Sequence, residues 1–190
     1  MRITGGAHRG RRLAVPAGDA VRPTSDRARE ALFNILSHGR FAMGGLPFAD
    51  KPVLDAFAGT GALGLETLSR GAGAAAFIEN ERAALVALRG NIAALGEERR
   101  AQIIPGDATR PPRPPFRCAV AFLDPPYRSG LAAPALAALA ESGWLAPGAL
   151  AIVEVAAREA LGAPAGFTMR DERVYGAARL IFLSWDDAAG

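Results

Sequence analysis

From residue 53 onward, short runs of apolar residues alternate with longer segments whose apolar positions recur every three or four residues. Runs of the first kind are typical of buried strands, and segments of the second kind are typical of amphipathic helices. Their alternation predicts an α/β fold with a mostly parallel sheet covered by helices on both faces. The predicted strands are residues 53–56, 74–79, 102–105, 119–123 and 150–155, and the predicted helices are residues 62–70, 82–95 and 131–141.

The pattern changes at both ends of the chain. Residues 167–174 and 179–185 are extended runs joined through Tyr175 and Gly176, so they predict an antiparallel C-terminal hairpin. Residues 1–15 contain short extended runs broken by glycines, which predict a small β-hairpin or a mobile arm. A helix is predicted from about residue 26 to residue 36, followed by a glycine-rich linker. We expect residues 1–45 to be a basic extension of one domain that is formed by residues 46–190.

The composition fits one globular domain. The chain has 190 residues, of which 50% are hydrophobic and 22% are charged, and this balance excludes a disordered chain. No apolar run approaches the roughly 20 residues that a bilayer requires, so we expect a soluble protein. The single cysteine, Cys118, has no partner for an internal disulfide, and no secretory signal follows Met1. These observations predict a cytoplasmic protein without a membrane partner, and we expect a monomer.

Positive charge is concentrated at the front of the chain. The net charge is +3, but residues 1–40 hold eight arginines against three acidic residues. The remaining residues hold fourteen basic and sixteen acidic side chains. A cluster of arginines predicts contact with nucleic-acid phosphates, so a nucleic acid is the expected partner.

A glycine-rich segment follows the first predicted strand. Gly59, Gly61 and Gly64 satisfy the G-x-G-x-x-G pattern of a nucleotide-binding turn between a strand and a helix. Asp55 lies at the carboxyl end of that strand, where its negative charge would disfavour a pyrophosphate and favour a cationic ligand. S-adenosylmethionine carries an ammonium and a sulfonium, so it suits this turn better than a dinucleotide does.

Two further acids follow the next two predicted strands. Glu79 ends the second strand, where a carboxylate can accept from both ribose hydroxyls of an adenosine ligand. Asp107 follows the third strand, where it could accept from the adenine amino group. Ligands of such sheets bind at the edge where the parallel strands end, so Asp55, Glu79 and Asp107 together predict a binding site.

The fourth predicted strand leads into Asp124-Pro125-Pro126-Tyr127. The prolines fix two φ angles and lack N–H groups, so the turn presents rigid acceptors, namely the Asp124 carboxylate and a backbone carbonyl. Two such acceptors can hold the hydrogens of an exocyclic amine and turn its lone pair toward a methyl donor. The Tyr127 ring offers a face on which an extruded base can stack.

These segments resemble a known family. Residues 55–64 and 124–127 look like two motifs of the class I S-adenosylmethionine-dependent amino-methyltransferases. Residues 2–13, 22–36 and 61–71 closely resemble the RsmD family, bacterial guanine-N2 methyltransferases of 16S ribosomal RNA. The resemblance covers nearly the whole chain. It implies a Rossmann-like sheet of seven strands with an N-terminal β-hairpin arm that grips RNA, and it implies the small ribosomal subunit as substrate and partner.

The motifs and the resemblance together predict three groups of site residues and no metal site. The residues predicted to act on the target base are Asp124, Pro125, Pro126 and Tyr127. Those predicted to bind S-adenosylmethionine are Asp55, Ala56, Phe57, Gly59, Thr60, Gly61, Glu79, Asn80, Asp107 and Ala108. Those predicted to contact RNA are Arg2, His8, Arg9, Arg11, Arg12, Arg22, Thr24, Arg27 and Arg128.

Three alternatives remain open on the sequence. The Asp-Pro-Pro-Tyr motif is shared with adenine-N6 methyltransferases of DNA, so the choice of guanine in RNA depends on the family resemblance alone. A protein that binds ribosomal RNA without catalysis would share the basic front. A nicotinamide-dependent dehydrogenase would share the glycine pattern but would have no use for residues 124–127.

Overall fold

The structure is a computed structural model that describes residues 1–16, 26–42 and 44–186, with the backbone alone for residues 26–28. Its strands are β1 (Pro52–Ala56), β2 (Ala74–Glu79), β3 (Ala101–Pro105), β4 (Cys118–Leu123), β5 (Leu145–Ala156), β6 (Phe167–Tyr175) and β7 (Ala178–Trp185). Its helices are α1 (Asp26–Ser37), α2 (Ala62–Ser69), α3 (Arg82–Leu95) and α4 (Ala132–Glu141), and a 3-10 turn spans Gly39–Ala42.

The seven strands form one sheet in the order β3-β2-β1-β4-β5-β7-β6. The first five strands are parallel, and β7 runs antiparallel between β5 and β6. The predicted fold class, including the C-terminal hairpin, is therefore confirmed. The strand order reverses between β1 and β4, and such a reversal opens a crevice at the edge where the parallel strands end. We call this edge the carboxyl edge.

One strand is longer than its sequence pattern predicts. β5 begins at Leu145, five residues before the predicted start, because Cys118 pairs with Leu145 and the register then shifts so that Val120 pairs with Leu150. Pro147 and Gly148 lie within this irregular part and interrupt the apolar run, which is why the pattern concealed it. The other predicted strands agree with the structure to within one residue at each end.

The side chains of the parallel strands alternate between two hydrophobic clusters. Val53, Phe77 and Phe122 belong to a cluster that includes apolar residues of α1, α2 and α3. Leu54 belongs to a second cluster on the opposite face, which includes α4 through Leu136 and other residues. This alternation is the two-residue period of a pleated strand, and it determines which face each acid at the carboxyl edge points toward.

The N-terminal hairpin, residues 1–14, is anchored on the first of these faces. Arg2 and Arg12 form an antiparallel bridge, and Ile3 and Leu13 are buried in the first cluster. Of the two alternatives that the sequence left open for this segment, the structure thus contains the hairpin. The sequence concealed the anchoring because the hairpin buries two apolar side chains in a core that belongs to distant elements.

A buried glutamate holds the hairpin in place. Glu66 of α2 accepts from the backbone N–H groups of Thr4 and Gly5, each at 2.8 Å, and from the Thr4 hydroxyl at 2.8 Å. Its carboxylate lies 2.7 Å from Arg70 Nε and 3.6 Å from Arg29 Nε. Arg29 is fully buried, so this arginine of the basic front neutralises Glu66 and does not face a polymer. No helix in the described ranges is both long and apolar enough to cross a membrane.

Candidate active site

Acidic residues lie on, or directly after, four adjacent strands at the carboxyl edge. Ala56 of β1 pairs with Ile78 on one side and Leu123 on the other, so Glu79 and Asp124 follow at the same level. Leu123 pairs with Val153, which places Glu154 of β5 beside Asp124. In strand order the acids are Glu79, Asp55, Asp124 and Glu154. The edge is therefore rich in carboxylates at the point where the strand order reverses.

Asp55 shows the electrostatic consequence of this arrangement. Its side chain is buried, and burial together with the nearby charges of Asp124 and Glu79 raises the pKa of its carboxyl from 3.8 to about 8. The backbone N–H of Gly64 donates to Asp55 Oδ2 at 2.8 Å and opposes this rise in pKa. A cationic ligand placed here would relieve the repulsion among the carboxylates and favour the ionised form of Asp55.

Glu79 connects β2 to the glycine-rich turn. Its carboxylate accepts from the backbone N–H of Gly59 at 2.6 Å, of Asn80 at 2.8 Å and of Glu81 at 2.7 Å. A carboxylate has about four acceptor positions, so three backbone contacts leave room for one ligand hydroxyl. Sequence reasoning predicted contact with ribose at Glu79 and missed its bond to the turn. Asn80 itself is exposed.

The glycine loop, residues 57–61, passes close to neighbouring elements. Phe57, Gly59 and Gly61 all have positive φ, with values of 60°, 55° and 81°. A Cβ on Gly61 would lie 2.4 Å from Leu88 Cδ1, and a Cβ on Gly64 would lie 2.3 Å from Phe77 Cε1. These two glycines therefore let α2 and α3 pack tightly against the sheet. Ala56 and Thr60, two further residues that were predicted to bind S-adenosylmethionine, are buried.

Asn91 supports the glycine loop from α3. Its buried side-chain amide donates to the backbone carbonyls of Thr60 at 3.0 Å and Ala14 at 3.1 Å. Its Oδ1 accepts from the Ala14 N–H at 2.7 Å. Sequence reasoning missed this residue, although one signal was present. Asn91 is a polar residue on the apolar stripe that also contains Leu88 and Ile92.

The Asp-Pro-Pro-Tyr loop, residues 124–127, leaves β4 at the carboxyl edge as predicted. The Asp124 N–H donates to the Ala56 carbonyl at 3.5 Å, which places the loop next to the end of β1. Asp124 and Tyr127 are half-buried, Pro125 is buried and Pro126 is exposed. The Tyr127 hydroxyl donates to Glu154 Oε1 at 2.7 Å. Glu154 was not among the predicted site residues.

A second glutamate holds the end of this loop. Arg128 has a positive φ of 59°, and its backbone N–H donates to Glu159 Oε2 at 2.9 Å. The N–H of Ala156, the last residue of β5, donates to the same oxygen at 3.3 Å. The side chain of Arg128 is exposed. The loop is thereby fixed to β5 at Glu154 and to the segment that follows β5 at Glu159.

Asp107 lies beyond the end of β3. Its Oδ1 accepts from the backbone N–H and the hydroxyl of Thr109, both at 2.8 Å, and these bonds lower the pKa of Asp107. The N–H of Gly106 donates to the Glu79 carbonyl at 2.9 Å and draws this segment toward β2. Asp107 is exposed, whereas Ala108 is buried.

The residues predicted to contact RNA differ in their surroundings. Arg2, Arg9, Arg11 and Arg12 are exposed on the hairpin, although Arg11 also donates to the Ala94 carbonyl at 2.6 Å. His8 was expected to face RNA or solvent, but its Nε2 lies 2.6 Å from Glu97 Oε1, so it contributes to docking the hairpin on the end of α3. Arg22 and Thr24 lie outside the described residues, and Arg27 is described only by its backbone in α1.

The carboxylates at the carboxyl edge form a site that fits S-adenosylmethionine. Carboxylates at the ends of β1, β2 and β4 suit an ammonium and a sulfonium, and Glu79 retains acceptor capacity for a ribose hydroxyl. In the described ranges no group of three or more His, Cys, Asp or Glu residues is placed to hold a metal ion. Together with the strand order, this site defines a class I S-adenosylmethionine-dependent methyltransferase.

Comparison with known proteins gives the family. The model of the family described as "Conserved hypothetical protein 95" matches residues 1–184. Two relatives named "Ribosomal RNA small subunit methyltransferase D" align over 93% of this chain. The one from Escherichia coli K12 is 39% identical with 85% of its own length covered, and the one from Haemophilus influenzae is 35% identical with 89% covered. The chain therefore belongs to this family, the RsmD family of methyltransferases.

Solved structures agree with this placement. The chain superposes on Escherichia coli yhhF with a TM-score of 0.82 and 38% identity, covering 98% of both chains. A protein of Thermus thermophilus gives a TM-score of 0.72 at 32% identity, with 96% of this chain and 98% of that chain covered. An RNA methyltransferase from Salinibacter ruber, solved with S-adenosyl-L-homocysteine, is 12% identical at a TM-score of 0.63, with 89% of this chain and 97% of that chain covered, and this likeness shows the fold alone.

Proposed function

We propose that this enzyme transfers a methyl group from S-adenosylmethionine to the exocyclic N2 of one specific guanine in 16S ribosomal RNA of the small subunit. The observation that carries the proposal is the position of the Asp-Pro-Pro-Tyr loop beside the end of β1. Asp124 follows Leu123, which pairs with Ala56, and the Asp124 N–H donates to the Ala56 carbonyl. The names of the aligned relatives support ribosomal RNA as the polymer. The enzyme then acts as a monomer in the cytoplasm, where its substrate is assembled.

The donor half of the site uses the acids of β1 and β2. S-adenosylmethionine, when bound, supplies an electrophilic methyl group on a positively charged sulfur. In this proposal Asp55 and the glycine loop hold its methionine end, because Asp55 gains most from a nearby positive charge. Glu79 accepts from a ribose hydroxyl through its remaining acceptor position, and the segment around Asp107 and Ala108 borders the adenine.

The acceptor half uses the Asp-Pro-Pro-Tyr loop. The Asp124 carboxylate and the Pro125 carbonyl each accept one hydrogen of the guanine amine, which directs its lone pair toward the methyl carbon. A C–N bond forms as the C–S bond breaks, and the sulfur keeps the electron pair of that bond. The methylated amine then loses one proton to the Asp124 carboxylate or to water. The face of the Tyr127 ring stacks on the extruded guanine.

In this proposal the N-terminal hairpin holds the RNA. Arg2, Arg9 and Arg12 are exposed on a hairpin that Glu66 and His8 anchor to the catalytic domain. An anchored hairpin presents arginines at fixed positions, so it loses less conformational entropy on binding phosphates than a mobile arm would. Arg22, Thr24, Arg27 and Arg128 remain predicted RNA contacts.

Nucleoside mass spectrometry of 16S ribosomal RNA tests this proposal. RNA from a deletion strain should lack one N2-methylguanosine, and the chain supplied on a plasmid should restore it. Unchanged N2-methylguanosine in the deletion strain would contradict the proposal. Transfer of labelled methyl groups to adenine in duplex DNA, without transfer to small subunits, would favour the DNA methyltransferase alternative.

A further inference from the structure

Glu154 is the acid at the carboxyl edge to which neither the sequence motifs nor the proposed reaction assigns a role. It lies near the end of β5, where the surrounding residues Ile152, Val153 and Val155 are apolar and buried. Glu154 itself is only 7% exposed. Burying a carboxylate is costly unless it is hydrogen-bonded, so the bonds that it makes are important to the site. One of them is the 2.7 Å bond from the Tyr127 hydroxyl.

This bond connects two adjacent strands across the site. Tyr127 belongs to the loop after β4, whereas Glu154 belongs to β5, and the pairing of Leu123 with Val153 fixes these strands in register. An O–H group that donates to a carboxylate makes one of the stronger hydrogen bonds in proteins. Because the hydroxyl lies at the far end of the ring, holding it fixes the direction of the whole side chain. The two prolines fix the backbone at the other end of the same loop.

We propose that Glu154 is a positioning residue for base methylation. It accepts the hydroxyl hydrogen of Tyr127 and thereby holds the ring at the angle at which the target base stacks. This inference rests on the proposed function, because it assumes that a base is bound against Tyr127. In-line displacement requires the amine nitrogen close to the methyl carbon and aligned with it. A misplacement of about 1 Å can lower the rate on the order of 100-fold.

Four variants separate positioning from other roles. Glu154→Ala removes the acceptor, and Tyr127→Phe removes the donor while keeping the stacking face. The double variant tests whether both act through one bond, and Glu154→Gln keeps an acceptor oxygen without the negative charge. Glu141→Ala, at the exposed end of α4, is the matched control. Methyl transfer to small subunits, affinity for S-adenosylhomocysteine and thermal unfolding are measured for each.

We expect kcat to fall about 10- to 100-fold in Glu154→Ala, equally in Tyr127→Phe, and no further in the double variant. Affinity for S-adenosylhomocysteine and KM for the subunit should change by less than about threefold, since phosphate contacts supply most of the RNA affinity. Glu154→Gln should retain most of the wild-type kcat. Wild-type kcat in Glu154→Ala, multiplicative losses in the double variant, or a Glu154→Gln variant as slow as Glu154→Ala would each overturn the proposal.

A second measurement does not depend on RNA methylation. The chain has two tyrosines, Tyr127 and Tyr175, so NMR spectra of protein with ring-labelled tyrosine contain few signals. In Glu154→Ala we expect the Tyr127 signals to show increased ring motion, whereas those of Tyr175 stay unchanged. Unchanged Tyr127 signals would overturn the positioning role. If the Tyr127 ring becomes more mobile in Glu154→Ala but the wild-type enzyme does not methylate RNA, the proposed function is wrong. The hydrogen bond between Tyr127 and Glu154 is still supported in that case.

Discussion

The side-chain amide of Asn91 donates to the backbone carbonyl of Thr60 at 3.0 Å and, with its second hydrogen, to the carbonyl of Ala14 at 3.1 Å. One buried side chain thus connects the glycine loop to the end of the N-terminal hairpin. Asn91 of α3 therefore contacts both the hairpin, which is proposed to bind RNA, and the glycine loop, which is proposed to bind the methyl donor.

Replacing Asn91 should affect both parts. Asn91→Ala leaves the Thr60 carbonyl and both backbone groups of Ala14 without this partner, and we expect the free energy of unfolding to fall by about 1–3 kcal/mol. We also expect the affinity for S-adenosylhomocysteine to weaken about 10-fold, because the glycine loop loses its fixed position. Calorimetric titration measures the affinity, and chemical denaturation measures the stability.

Asn34→Ala is the matched control, since Asn34 is exposed on α1. It should change neither quantity. An Asn91→Ala variant that is destabilised but binds S-adenosylhomocysteine like the wild type would show that Asn91 supports the fold and not the donor site.

Asp55 should make stability depend on pH. Its pKa is raised from 3.8 to about 8, so between these values the folded protein retains a proton that the unfolded chain has lost. The contribution of this group is fully present below pH 3.8 and is lost as pH rises through about 8. We expect the unliganded protein to lose up to about 1.4 kcal/mol of unfolding free energy per pH unit within this window.

Asp55→Asn isolates this group. The amide keeps an oxygen that can accept from the Gly64 N–H but does not titrate, so the slope of stability against pH should decrease. Urea denaturation at several pH values measures it. Equal slopes in the variant and the wild type would contradict the raised pKa.

Much of the fold was predictable because the central strands β1, β2 and β4 are buried on both faces. Each appears in the sequence as a short apolar run, and β1, β2 and β4 end within one residue of their predicted bounds. The acids that end these strands were equally visible. Glu154 was not, because it interrupts an apolar run without a motif around it, and its role depends on the register between β4 and β5.

The docking of the hairpin was hidden for a different reason. Its contacts with Glu66, Asn91 and Glu97 join residues that are more than 60 positions apart, and no local pattern records such pairs. His8 was therefore interpreted from its arginine-rich neighbours, although its nearest polar partner belongs to the end of α3. Side chains that join distant elements are beyond what local periodicity can predict.

The exposed arginines of the hairpin should control RNA affinity. Arg9→Ala combined with Arg12→Ala should weaken binding of small subunits and reduce its dependence on salt, because fewer counterions are released. Arg11 is left in place, since it also bonds to the Ala94 carbonyl. Affinity for S-adenosylhomocysteine should stay unchanged. Filter binding at several salt concentrations measures the affinity for small subunits and its dependence on salt.

The control removes two arginines elsewhere. Arg99 precedes β3 at one edge of the sheet, and Arg173 is exposed on β6 at the other. Arg99→Ala combined with Arg173→Ala should leave the salt dependence of binding as it is in the wild type. If both double variants reduce it equally, RNA binding is a property of total charge and not of the hairpin.

Glu66 should contribute strongly to the stability of the fold. Glu66→Ala leaves Arg29 buried without this carboxylate and releases Thr4 and Gly5, so we expect a loss of about 3–5 kcal/mol of stability. Glu66→Gln should lose less, since it keeps acceptor capacity. Thermal unfolding measures both, with the exposed Glu98→Ala as control. A Glu66→Ala variant as stable as the wild type would show that the other contacts of the hairpin, among them those of His8 and Asn91, hold it without Glu66.

The most direct test of the account is methyl transfer by Asp124→Ala to small subunits purified from a deletion strain. The wild-type enzyme should produce N2-methylguanosine, and the variant should be on the order of 100-fold slower, because one acceptor of the amine hydrogens is lost. The variant should still bind S-adenosylhomocysteine. Wild-type rates in Asp124→Ala, or methylation of adenine in place of guanine, would contradict the assignment of this loop to the guanine amine.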